Sequence, residues 1–132
     1  MTVPFWCLLI ACFLPYAWGF FSIPERQKQL GSIDNKDPRA QQAQLTGRGA
    51  HAVAAHKNAF EAIAVFAPAV LVAHLAGADP MWSARWAEIW VVARVLHGVF
   101  YLANLDLLRS MAFGVGMVCS VGLFVLASRA AG

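Results

Sequence analysis

VPFWCLLIACFLPYAWGFFSI, from Val3 to Ile23, runs for twenty-one residues without a charged side chain. A hydrocarbon core of about 30 Å needs roughly 20 apolar residues of helix to cross it, and this stretch supplies them. It does not read as a cleaved leader. No positive residue precedes it, its apolar run exceeds the usual length of about 7–15 residues, and no small-x-small site precedes Pro24. The sequence therefore predicts a retained membrane span over residues 3–23.

The rest of the chain repeats that composition. Of 132 residues, 60% are hydrophobic and 13% charged, about half the charged share of an average soluble domain. A surface so short of charge faces lipid. Further apolar runs cover 50–78, 82–102 and 110–128, with a break at Asp79-Pro80 and a short one over Asn104–Arg109. Pro68 is tolerable inside a membrane helix, as a kink. Trp82, Trp86 and Trp90 recur every four residues on one helix face, a stripe that suits a membrane interface; helix–helix packing is the competing account for Trp90. Gly114, Gly116 and Gly122 permit close helix approach in the last run. Residues 24–49 form the one long polar stretch. Asn35, Asp37 and Pro38 favour turns there, so it reads as a connecting loop. The expected architecture is all-α: an integral membrane four-helix bundle, one domain over 1–132, in contact with membrane lipids.

Charge sets the expected orientation. Arg26, Lys28, Lys36, Arg39, Arg48 and Arg109 belong to the first and third connections, against Arg85 and Arg129 on the opposite side. Cytoplasmic loops collect Lys and Arg, which puts the 24–49 loop in the cytoplasm and both termini across the membrane. The net charge of +3 comes from few groups and is no argument for nucleic acid. Cys7, Cys12 and Cys119 lie in apolar runs without a CxxC pair and read as small packed or lipid-facing residues.

Ionisable groups inside a membrane helix cost about 2.5–3.5 kcal/mol each on insertion scales and are functional suspects for that reason. Two clusters qualify. The second span carries His51, His56, Lys57, Asn58 and Glu61, with His51, Ala54, Asn58 and Glu61 on one stripe; the third carries Arg94, His97 and Tyr101 on one face. Both approach the cytoplasmic end, where they can converge on a polar pocket beside Arg109. The alternative is mutual neutralisation of Lys57, Glu61 and Arg94, or snorkelling to the headgroups. A metal site is not expected: His51 and His56 are five residues apart, turned about 140° from each other, and His74 lies near the other end. The bilayer centre reads as bare, which disfavours a transporter or channel.

LTGRGAHAVAAHKNAFE (Leu45–Glu61), with Asn-x-x-Glu at Asn58 and Glu61, resembles the second-helix signature of the MAPEG family, the membrane-associated proteins in eicosanoid and glutathione metabolism. ARVLHGVFY (Ala93–Tyr101) followed by Arg109 resembles the third helix and its connection, and DNKDPR (Asp34–Arg39) resembles the short bacterial branch. The resemblance spans essentially the whole chain. It implies a homotrimer in a bacterial inner membrane, binding glutathione between protomers near the cytoplasmic face; in that membrane the orientation read from charge makes both termini periplasmic. The resemblance further implies a glutathione-dependent transferase or peroxidase for lipophilic electrophiles or hydroperoxides. Asn58, Glu61, Arg94, His97 and Tyr101 would contact glutathione, with His51 beside them, and Arg109 would hold the sulfur as thiolate. Two departures stand out: Ala54 occupies the place of a family arginine, and His51 that of a basic residue. They feed a rival reading, a catalytically inactive accessory subunit of a membrane assembly.

Overall fold

The computed structural model describes residues 1–130; the last two residues of the expected domain lie outside the described part. Among these residues the chain forms six helices: α1 (Val3–Phe20), α2 (Ser22–Leu30), α3 (Pro38–Gln42), α4 (Gly47–Leu75), α5 (Pro80–Leu102) and α6 (Asp106–Ala130). The all-helical class follows from the sequence, but the count of spans differs. Three helical stretches are long and apolar enough to cross a membrane: Val3–Leu30, Gly47–Leu75 and Asp106–Ala130. α5 is long enough, but Arg85, Glu88 and Arg94 along it take it out of that class.

Order in the bundle comes from contacts between helices. α4 and α5 pack on each other, and each also packs on both α1 and α6. The two outer helices thus flank a central hairpin, and the chain's polar clusters sit on that hairpin. The hairpin is made locally. Gly77 adopts a left-handed φ of 71°, which a side-chain-bearing residue disfavours. Pro80 then starts α5 with a preset φ, and the Asp79 side chain accepts the Trp82 backbone N–H at 2.9 Å, satisfying one of the free donors of the helix start.

The core centres on Phe66 and Trp90, whose rings stack 3.8 Å apart at 8°, with Val70, Leu123, Cys7 and Cys119 buried around them. Trp90, exposed by only 2%, is therefore a packing residue, whereas Trp82 at the other end of the stripe is exposed. Small residues let the helices close. A Cβ on Gly98 would run into the Trp18 indole, one on Gly122 would meet Trp86, and one on Gly116 would meet the Arg94 side chain at 3.2 Å; Gly114 has nothing near it. Two of the three glycines expected at contacts are there, and Gly98 adds a third.

Outward-facing side chains are large and apolar, including Phe13, Val92, Leu107 and Val118, a surface that suits lipid rather than water.

Residues 24–49 are not the plain loop expected. α2 continues α1 almost without pause, and α3 adds a short helix. The buried Arg26 holds the segment together, donating from Nε to Gln41 Oε1 and from Nη2 to the Asp34 carbonyl, both at 2.6 Å. Gln41 in turn donates to the Ser32 carbonyl at 2.7 Å. Asp34 accepts the backbone N–H groups of Lys36 and Asp37, an Asx-type turn.

Candidate functional site

The site is built on the facing sides of α4 and α5. The helices run antiparallel, so residues pair across them in steps: Phe66 with Trp90, then Asn58 with Arg94, then His51 near Tyr101. Moving along this ladder from the core towards the loop end, the residues change from apolar to polar. At about 1.5 Å per helical residue, Arg94 to Tyr101 covers roughly 10 Å.

Arg94 occupies the inner rung. Its side chain is only 3% exposed, and Nη2 donates to Asn58 Oδ1 at 2.6 Å and to the Asn58 carbonyl at 3.2 Å. Asn58 passes the link on, donating from Nδ2 to Glu61 Oε2 at 3.4 Å. The Arg94 Nε–H has no partner. A buried guanidinium with an unfilled donor is costly, and it lines a small cavity of about 150 Å³ together with Glu61, Trp90, Phe113, Gly116 and Ser120. Gly116 is what makes room: any side chain there would press on the Arg94 stem.

The outer rungs are aromatic. His97 is buried and meets Tyr101 edge-on, ring centroids 5.2 Å apart, with the Phe113 ring centroid 6.3 Å away. His51 lies 6.5 Å from the Tyr101 ring. The Arg109 guanidinium stacks over Tyr101 with its carbon 4.4 Å from the ring centroid, a favourable placement for a cation on a π face. Arg109 is not in a loop, as expected, but the fourth residue of α6. Asn104, at φ 57°, turns the chain tightly enough for α6 to start at Asp106.

The sequence-predicted residues Asn58, Glu61, Arg94, His97, Tyr101, His51 and Arg109 thus share one continuous strip. His56 does not: it reaches the other way and donates from Nδ1 to the Pro15 carbonyl of α1 at 2.7 Å. His74 lies at the far end against Phe5, and Lys57 is exposed. Phe113 and Ser120 carry no signal in the sequence, because nothing in an apolar run distinguishes a cavity wall from a lipid-facing residue; Trp90 stands out in the stripe only as a packing or interface residue. The polar strip also reaches deeper than expected. Glu61 is the middle residue of α4, so the helix centre is not bare.

The model of the MAPEG family matches residues 3–129, nearly the whole chain. The chain belongs to the MAPEG family. No curated protein and no solved structure matches it significantly. Family membership, with the three spanning helices, makes this an integral membrane protein and ties it at family level to glutathione or eicosanoid metabolism. MAPEG proteins include both enzymes and non-enzymatic members, so the activity of this one rests on its own residues.

Proposed function

We propose that this MAPEG protein is a glutathione-dependent transferase or peroxidase of a bacterial inner membrane, acting on lipophilic electrophiles or hydroperoxides. The observation that carries the reading is the buried, under-satisfied Arg94. A cation held in a low-dielectric place with a free N–H donor beside a cavity calls for an anionic partner, and glutathione brings two carboxylates. Asn58 both donates and accepts; Glu61 can receive the ligand's ammonium group.

The remaining residues divide the chemistry. Arg109, fixed on Tyr101 at the mouth, is the cation placed to keep the sulfur as thiolate, because a free thiol has a pKa near 8.5 and an adjacent positive charge lowers it. His97, Tyr101 and His51 line the way between Arg94 and Arg109. The thiolate attacks an electrophilic carbon of an oily substrate, which expels its leaving group, or the terminal oxygen of a hydroperoxide, which releases the alcohol. In the second case another glutathione then gives the disulfide and water. Holding both partners in place supplies much of the rate. The proposal includes one domain over 1–132, with α5 as a fourth span shielded by α1, α4 and α6. It also includes a homotrimer in which a neighbouring copy covers the exposed Glu61 and Lys57, and both termini in the periplasm.

The second reading, an inactive accessory subunit of a membrane assembly, is favoured by Ala54, which puts a methyl on the same stripe as His51 and Asn58. Ultraviolet difference spectra with bound glutathione separate the two. An active enzyme shows thiolate absorption below the pH at which free glutathione ionises, and Arg109→Ala loses that signal while keeping most of the affinity. Binding without thiolate at any such pH sinks the catalytic reading and leaves the accessory one.

A further inference from the structure

A second cavity lies at the other end of the molecule, about 22 Å along α4 from Asn58 to Ala73 at 1.5 Å per residue. Its volume is about 450 Å³, and its wall is built by the start of α1 (Val3, Phe5), the end of α4 (Val70, Ala73) and the start of α5 (Ser83, Ala84). Almost all of this lining is hydrocarbon. Thr2, His74 and Ser83 are its polar side chains, and of these Thr2 and His74 are exposed while Ser83 is buried. The Ser83 side chain is more than nine-tenths buried, with 7% exposure, and its hydroxyl has no hydrogen-bond partner. Helical serines usually return their hydroxyl to a carbonyl one turn earlier, as Ser120 does to Gly116 at 3.2 Å; Ser83 does not.

A buried orphan hydroxyl costs about 1–3 kcal/mol, and an apolar cavity of this size is typical of a small-molecule site. At roughly 30 Å³ per heavy atom, 450 Å³ accepts about fifteen of them. We propose that this cavity binds a single aliphatic chain of about that length whose oxygen head, a hydroxyl or carbonyl, hydrogen-bonds Ser83. The hydroxyl serves either head, since it both donates and accepts. The alkyl body fills the space between Phe5, Val70, Ala73 and Leu123. The site is separate from the glutathione strip and does not depend on that assignment.

The probe is a tetradecanol carrying a mid-chain diazirine, added to protein reconstituted in phospholipid nanodiscs, with the labelled peptides mapped by mass spectrometry. Labelling should concentrate on the Val70–Ala73 and Ser83–Ala84 peptides. Unlabelled tetradecanol should compete at least fivefold better than tetradecane. Ala84→Trp, which fills the partly exposed wall, should abolish the focus of labelling, and Ser83→Ala should erase the preference for the alcohol. Ser83→Ala should also leave the thermal midpoint of the empty protein unchanged or raised, because it removes an unpaired hydroxyl; circular dichroism confirms the fold of both variants. Labelling spread over all lipid-facing helices, or unchanged in Ala84→Trp, overturns the proposal. Equal competition by alkane and alcohol overturns it as well, since Ser83 would then recognise no head group. Glutathione binding measured alongside keeps a failure here distinct from a failure at the other end.

Discussion

Replacing Asn58 with Ala removes the group through which the buried cation is held. Arg94 Nη2 loses its 2.6 Å bond to Asn58 Oδ1 and keeps only the 3.2 Å bond to the backbone carbonyl. The short bond is charge-assisted and worth about 1.5–3 kcal/mol. The bond to the exposed Glu61, at 3.4 Å, adds little. The protein should therefore lose about 1.5–3 kcal/mol of stability from this one contact, read as a shift in the midpoint of reversible unfolding in mixed micelles. Glutathione affinity should drop by about 10- to 150-fold, the same energy expressed as a ratio, because Asn58 also positions Arg94 and Glu61 for the ligand. Isothermal calorimetry on the folded fraction reads that second effect, with Lys57→Ala, exposed on the neighbouring position, as the control expected to change stability little. Lower stability with unchanged affinity would show that Asn58 merely props Arg94. No change in either quantity would refute the ladder itself.

Three other outcomes follow from the packing and the charge distribution. Gly98→Val drives a side chain into the Trp18 indole and should cost about 1–3 kcal/mol of stability; Trp18→Ala in the same chain should recover part of it, and additive losses would contradict the contact. Arg26→Met removes two 2.6 Å hydrogen bonds and should make the 31–37 segment markedly more sensitive to protease, with a stability loss of about 1.5–3 kcal/mol. Reporter fusions within 31–37 should report the cytoplasm and fusions after Arg129 the periplasm; a cytoplasmic C-terminal reporter refutes the orientation read from the six-to-two split of basic residues.

Much of the architecture is legible because the bilayer writes it into composition. Long apolar runs with few charges mark α1, α4 and α6, and Asp79-Pro80 marks the hairpin. α5 is harder. Only Arg94 of its three charges belongs to the site; Arg85 and Glu88 lie nearer the start of the helix, and the three together remove the simple spanning signal. The 24–49 segment hid its helices because its order comes from Arg26 and Gln41 reaching across fifteen residues, and a buried arginine clamp looks in sequence like one more cytoplasmic positive charge. Within the site, Asn58, Glu61, Arg94, His97 and Tyr101 stand out as polar groups where polarity is expensive. The direction of each side chain does not. His56 sits one turn from His51 by number, yet bonds α1, and only the placement of Pro15 against α4 reveals why. Gly98 gave no warning either, since the indole that needs it comes from another helix.

The central claim is that the Arg94 rung is an anion-receiving site for glutathione, and calorimetric titration of the purified wild-type protein in detergent tests it most directly. Saturable binding is expected, and Arg94→Met should abolish it while the protein stays folded, because the variant keeps much of the side-chain volume without the charge. Saturable binding that persists in Arg94→Met, or a folded wild-type oligomer that takes up no glutathione at all, would contradict it.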